Sequence, residues 1–192
     1  MTPKWALPAT QRFKRSQKNE RRVAQALGGR ELPRSGGMKA AGGADSPTLE
    51  GDFRTPTLHA EHKRTEKPEL RVQREWFRKV SSGAARCHRT PAVVLLLEPV
   101  QGDAREWIFL PVGYARSAYQ QLLADPAGWD GEVVEPKAAS FLFRASAVEP
   151  LVRRLGAAFP VILLTWPGAE GFPAEWLGAP LSRAAEALRS AL

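Results

Sequence analysis

Cysteine occurs once, as Cys87, so the chain can form no internal disulfide, and a structural zinc site built on two or more cysteines is excluded. Long apolar runs are missing as well. The longest, Ala92 to Leu97, falls far short of the roughly 20 residues needed to span a bilayer. The first residues carry Lys4, Arg12, Lys14 and Arg15 but no apolar segment of the signal-peptide kind. A soluble, unexported protein of a reducing cytoplasm, with no membrane partner, is the expectation. Neither GxxxxGK[ST] nor GxGxxG occurs, so no nucleotide cofactor is expected. No GxSxG elbow supports a serine hydrolase, and Cys87, alone between Arg86 and His88, reads as incidental rather than as an activated nucleophile. There is no internal repeat.

Positive charge is plentiful and unevenly spread. The formal net charge is +8. Residues 1–90 hold 20 Lys and Arg against 9 Asp and Glu, whereas residues 91–192 hold 8 against 11. A basic first half fits a polyanionic partner, because Lys and Arg that displace condensed counterions supply the sequence-independent part of nucleic-acid affinity. A solvated basic surface or tail is the alternative. With 43% hydrophobic residues over 192 positions, the chain can bury a substantial core.

The chemistry concentrates in Gly51 to Lys63. If residues 57–63 form a strand, its period of two places His59, Glu61 and Lys63 on one face and Leu58, Ala60 and His62 on the other. Glu61 and Lys63 then point at one spot. Asp52, with a hairpin turn at residues 54–56, would sit near the level of Glu61; Asp45 is the competing acid. Carboxylates that hold a hard cation, beside a lysine that orients water or offsets phosphate charge, suit metal-dependent hydrolysis. His59-Ala60-Glu61-His62 is not HExxH, and alternation separates the two histidines, so zinc is not expected.

Around this stretch, residues 1–14 read as an N-terminal arm and residues 15–192 as one domain, with a core at 15–98 and an α/β extension at 99–192. Residues 16–27 read as a helix stopped by Gly28-Gly29, with Glu20 on the same stripe as Val23, Ala24 and Leu27. Arg34, Ser35 and Lys39 belong to a glycine-rich loop that either contacts phosphate or serves as a linker. Residues 47–53 read as a strand. A helix is expected from Pro68 to about Val80, burying Leu70, Gln73, Phe77 and Val80 and presenting Arg71, Arg74, Arg78 and Lys79 outward. Ala92 to Glu98 reads as a central strand, 107–112, 139–143 and 161–166 as further strands, and 117–124, 147–157 and 174–192 as helices. The fold class is therefore α/β, a mixed central sheet flanked by helices.

The ordered set Glu20, Arg34-Ser35-Gly36-Gly37, Asp52, Glu61-His62-Lys63 and Gln73 resembles the PD-(D/E)xK nuclease superfamily, most closely the small Holliday-junction resolvases of archaea and phages. The likeness covers roughly residues 15 to 98; Gly51-Asp52 stands where the superfamily is named for Pro-Asp. The resemblance implies a restriction-endonuclease-like core and a site for Mg²⁺ or Mn²⁺. Asp52, Glu61, the main-chain carbonyl of His62 and, directly or through water, Glu20 would be ligands, with Lys63 beside the attacking water. Ser35 would touch the scissile-strand phosphate or the metal shell. Arg34, Lys39, Arg64, Lys67, Arg71, Gln73 and Arg74 are the expected nucleic-acid contacts. It further implies a homodimer acting on branched DNA in a bacterial, archaeal or phage-infected cell. A restriction-type endonuclease, a repair exonuclease and a binding protein without cutting activity are the competing readings.

Overall fold

The computed structural model describes residues 9–31, 53–119, 132–136, 139–155 and 161–190. Helix α1 spans Ala9–Ala26 and is followed by β1 Arg30–Glu31, β2 Phe53–Arg54, β3 Leu58–Thr65, β4 Glu69–Gln73, α2 Arg74–Arg86 and β5 Thr90–Leu97. A 3-10 turn at Gly102–Ala104 leads to β6 Glu106–Pro111, α3 Val112–Tyr119, β7 Glu132–Val134, β8 Ser140–Arg144, α4 Ala145–Leu155, β9 Ile162–Thr165, β10 Glu175–Pro180 and α5 Leu181–Ser190. Eight strands form one mixed sheet in the order β1-β2-β3-β5-β6-β10-β9-β7, and β4 and β8 form a separate two-stranded ribbon. The protein is therefore α/β, with β3–β5 and β7–β9 parallel and the other pairs antiparallel.

The two faces of the sheet carry separate cores. Leu58, Ala60, Ala92, Val94, Ile108 and Leu110 pack with Val23 and Ala24 of α1 and Leu27 just after it, Ala115 and Tyr119 of α3, and Leu181, Ala184, Ala185, Ala187 and Leu188 of α5. Val93, Leu95, Leu97, Trp107 and Phe109 pack with Phe77 and Val80 of α2, Val148 of α4, and Val72 and Phe143 of the ribbon. Strand alternation in β5 produces this division, and with helices on both faces every residue from Ala92 to Leu97 is enclosed. Trp107, Trp166 and Trp176 are core residues, as their apolar bulk favours.

Three expectations are corrected. Residues 68–73 are not helical: β4 runs to Gln73, and α2 begins at Arg74. Val72 is enclosed between exposed Arg71 and Gln73, a period of two, and β8 supplies a ladder from Glu69↔Arg144 to Gln73↔Ser140. That distant partner overrides the local helical spacing. Residues 174–192 divide in the same way. β10 lies between β6 and β9, and a Cβ at Gly178 would drive into the Phe109 ring, so a strand with a bare backbone fits there; Pro180 then ends it before α5. The first helix, expected from residue 16, already begins at Ala9; no proline or glycine interrupts residues 9–26. Strand β7 had no counterpart in the sequence reading.

At the end of α1, Gly28 has φ +69°, and the amides of Gly28 and Gly29 donate to the carbonyls of Gln25 at 3.0 Å and Ala24 at 2.7 Å. This is the left-handed stop expected of Gly28-Gly29. Gly29 is needed for another reason: a Cβ there would strike the Arg54 carbonyl, so only glycine allows β2 to run this close.

Candidate active site on strand β3

Thr55 builds the hairpin that delivers the site. Its Oγ1 accepts from the amide of Leu58 at 2.8 Å and its amide donates to the Leu58 carbonyl at 3.0 Å, closing the link between β2 and β3. Phe53 is then paired with Ala60 and Arg54 with His59. On the other side β3 lies parallel to β5 along its whole length, with Glu61 opposite Val93 and Lys63 opposite Leu95.

Glu61 and Lys63 share the α2 face of the sheet. The Glu61 side chain is 6% exposed, and its Oε1 is ion-paired with Lys63 Nζ. The Lys63 side chain is 29% exposed, and its ammonium lies 5.5 Å from the ring centroid of Trp76 on α2. A buried carboxylate is thus held by a cation that is itself seated on an indole face and still reaches water. His59, on the same face, is fully enclosed and accepts a hydrogen bond from Arg54 Nε at 3.2 Å through Nδ1.

The main chain adds a third group. The carbonyls of Thr57 and Thr65 accept from the amides of Thr90 and Glu98, whereas that of Leu58 accepts from Thr55 in the hairpin. Alternation directs the backbone of odd residues toward β5 and of even residues, including His62, toward the β2 side. The Glu61 carboxylate and a main-chain carbonyl such as that of His62 are oxygen groups of the kind a hard divalent cation takes.

The remaining expected site residues are distributed differently. Asp52, Arg34, Ser35, Lys39 and the competing Asp45 lie outside the described residues. Glu20 is buried, on the α1 stripe whose Val23, Ala24 and Leu27 pack on Leu58 and Ala60, the face opposite to that of Glu61 and Lys63. The geometry therefore does not join it to that pair. Among the described residues, no group of three or more His, Cys, Asp or Glu side chains is placed to hold a metal ion. Arg64 also lies on the α1 face; its Nη1 donates to Glu98 Oε1 at 2.7 Å, and Asn19 Nδ2 donates to the same oxygen at 3.2 Å. It is committed to this polar cluster rather than presented to a phosphate. Lys67 is exposed in the turn after β3, and Arg71 is exposed on β4. Gln73 is not the inward amide of a helix: it is exposed at the N-cap of α2, a consequence of the strand replacing the expected helix. Arg74 donates to the Gly168 carbonyl and lies over the Phe172 ring at 5.5 Å.

Trp76, the partner of Lys63, was missed by sequence reasoning, which placed Phe77 and Val80 on the buried stripe and assigned no role to the residue beside it. Cys87 caps α2, with Sγ donating to the Gly83 carbonyl at 3.3 Å, as befits a structural thiol.

His62 side-chain chemistry differs from that of its carbonyl. Burial pushes its pKa from 6.5 down to about 3, aided by the charges of Arg22, Lys63 and Arg64. The folded chain holds it neutral. The unfolded chain takes up a proton as pH falls through 6.5 while the folded chain does not until about 3, so this contribution is complete above 6.5 and is lost progressively below it. We expect the stability difference between the wild type and His62→Gln to shift against the wild type as pH falls, by up to about 1.4 kcal/mol per pH unit. Urea unfolding of both proteins at about pH 7 and about pH 4 measures it; parallel losses would remove His62 as the source.

No protein-family model and no curated protein matches the chain. No helix among the described residues is long and apolar enough to cross a membrane.

Proposed function

We propose that the chain is a divalent-metal-dependent endodeoxyribonuclease of the PD-(D/E)xK kind, acting on branched DNA as a homodimer. The observation that carries this reading is the Glu61–Lys63 pair, a buried carboxylate and a partly exposed ammonium on one face of β3. The mixed sheet with helices on both faces is the framework that the resemblance implies, so a restriction-endonuclease-like core is part of the proposal. The +8 net charge and the exposed arginines near the start of α2 supply attraction to a polyanion.

Mg²⁺ or Mn²⁺ fits the oxygen donors: Glu61, the His62 carbonyl and Asp52, the chain neighbour of Phe53, would hold it, and it would supply Lewis-acid polarisation and an acidified water. Lys63 Nζ orients the attacking water and offsets the charge that grows on the phosphoryl oxygens. Trp76 holds the ammonium in place. Water adds to phosphorus as the bond to the departing 3′-oxygen breaks, leaving a 5′-phosphate and a 3′-hydroxyl.

The test is incubation of the purified protein with labelled four-way junction, flap, duplex and single-stranded DNA, with Mg²⁺ or with EDTA. Paired nicks across the junction that need Mg²⁺ are expected. Progressive trimming from ends would instead support an exonuclease, and binding without any cutting would support the non-cleaving alternative.

A further inference from the structure

On the second-half side of α2 there is an open groove of about 430 Å³, lined by Arg71, Gln73, Arg74, Glu75, Arg78, Ala139 and Ser140. It exists because β4 pairs with β8, which brings residues separated by more than sixty positions to one wall. Three guanidinium groups face a single carboxylate there. Glu75 is paired with Arg78 through both carboxylate oxygens, and this contact holds the Glu75 pKa below the usual range. Arg74 is fixed by the Gly168 carbonyl and the Phe172 ring, and Arg71 Nη1 lies 3.4 Å from Ser140 Oγ.

The groove and the Glu61–Lys63 pair lie against the same helix. Arg74 and Arg78 each lie about 200° around α2 from Trp76, which touches Lys63, so the groove and the pair flank the helix on opposite sides. We propose that this groove seats the sugar-phosphate backbone of the DNA to one side of the bond to be cut, with Arg71, Arg74 and Arg78 as the phosphate contacts. The proposed cleavage reaction supplies only the identity of the polyanion.

The experiment measures binding rather than cutting. Glu61→Gln protein is titrated with labelled duplex and four-way junction in EDTA over a range of salt. The same is done after adding Arg71→Ala with Arg78→Ala, and separately Arg71→Lys with Arg78→Lys. Both arginines are exposed, and equal thermal unfolding verifies the fold. Two lost contacts should make the slope of log K against log salt shallower by about 1.8, while the lysine variants should keep the parent slope. An unchanged slope in the alanine protein, or the same reduction in the lysine protein, overturns the proposal. So does a loss of polyglutamate binding without a change in the DNA slope, which would make the groove a seat for acidic protein. The outcomes separate from those of the nuclease reading: an unchanged slope in a protein whose parent cuts DNA removes only the groove, and a reduced slope in a protein that never cuts removes only the nuclease.

Discussion

Replacement of Glu61 by glutamine is expected to lower Mg²⁺-dependent DNA cleavage by at least about 100-fold, and Lys63→Ala by a comparable factor, with DNA binding retained. The two losses differ in origin. Glutamine keeps the shape of Glu61 and removes the charge that would hold the cation; alanine keeps the carboxylate and removes the cationic group that would face the phosphate. Binding should persist because the proposed phosphate contacts lie elsewhere, on β4 and α2. The fold should also persist. A fully enclosed ion pair broken on one side costs about 3–5 kcal/mol. In Glu61→Gln the remaining Lys63 is 29% exposed and can hydrate its ammonium, so the cost is smaller; Lys63→Ala leaves the 6% exposed Glu61 carboxylate without its cation and carries more of that cost. A readout independent of activity accompanies the assay: at about 100 times its dissociation constant, Mg²⁺ should stabilise the wild type by about 2.7 kcal/mol and leave Glu61→Gln unchanged. Full cleavage by either variant, or an equal Mg²⁺ effect on Glu61→Gln, would falsify the assignment of the pair.

The second large effect concerns the wall behind the site. Phe77 is fully buried, with ring centroids 4.8 Å from Trp176, 5.4 Å from Trp166 and 6.1 Å from Phe109. Phe77→Ala leaves a cavity among large, rigid rings that cannot collapse into it, and about 3–5 kcal/mol of stability should be lost. That is a large share of the roughly 5–15 kcal/mol of a typical domain. Phe77→Leu, which retains most of the volume, should cost less. Because Phe77 anchors α2 to β6 and β10, loosening it also frees Trp76 and hence Lys63. Urea unfolding measures the first effect. A loss below about 1 kcal/mol for the alanine variant would mean that this aromatic cluster does not hold α2.

Much of the candidate site could be read locally. The alternation of residues 57–63 places Glu61 and Lys63 on one face whatever the partners of the strand are, and β3 does so. The stop at Gly28-Gly29 was also legible, because a left-handed residue after an amphipathic run is a property of a few neighbouring residues. The stretch from Pro68 to Gln73 was not. Its residues suit a helix or a strand, and the decision came from Ser140 to Arg144, whose position beside it no local pattern announces. The error propagated: Gln73 moved from a buried stripe to an exposed cap. Glu20 was correctly read as facing the core, but its helix lies on the opposite face from Glu61. Helical periodicity states that a residue is buried, not against which side of a sheet.

The sequence by itself determined the α/β class, the alternation that pairs Glu61 with Lys63, and the basic first half, because these depend on composition and on backbone periods set within a few residues. Only the tertiary structure decided that β4 is a strand, that Arg64 answers to Glu98 and that Arg71, Arg74 and Arg78 border one groove. Each of these depends on a contact between residues far apart in the chain, where the burial of shared surface and the ladder between strands outweigh the small differences in local preference.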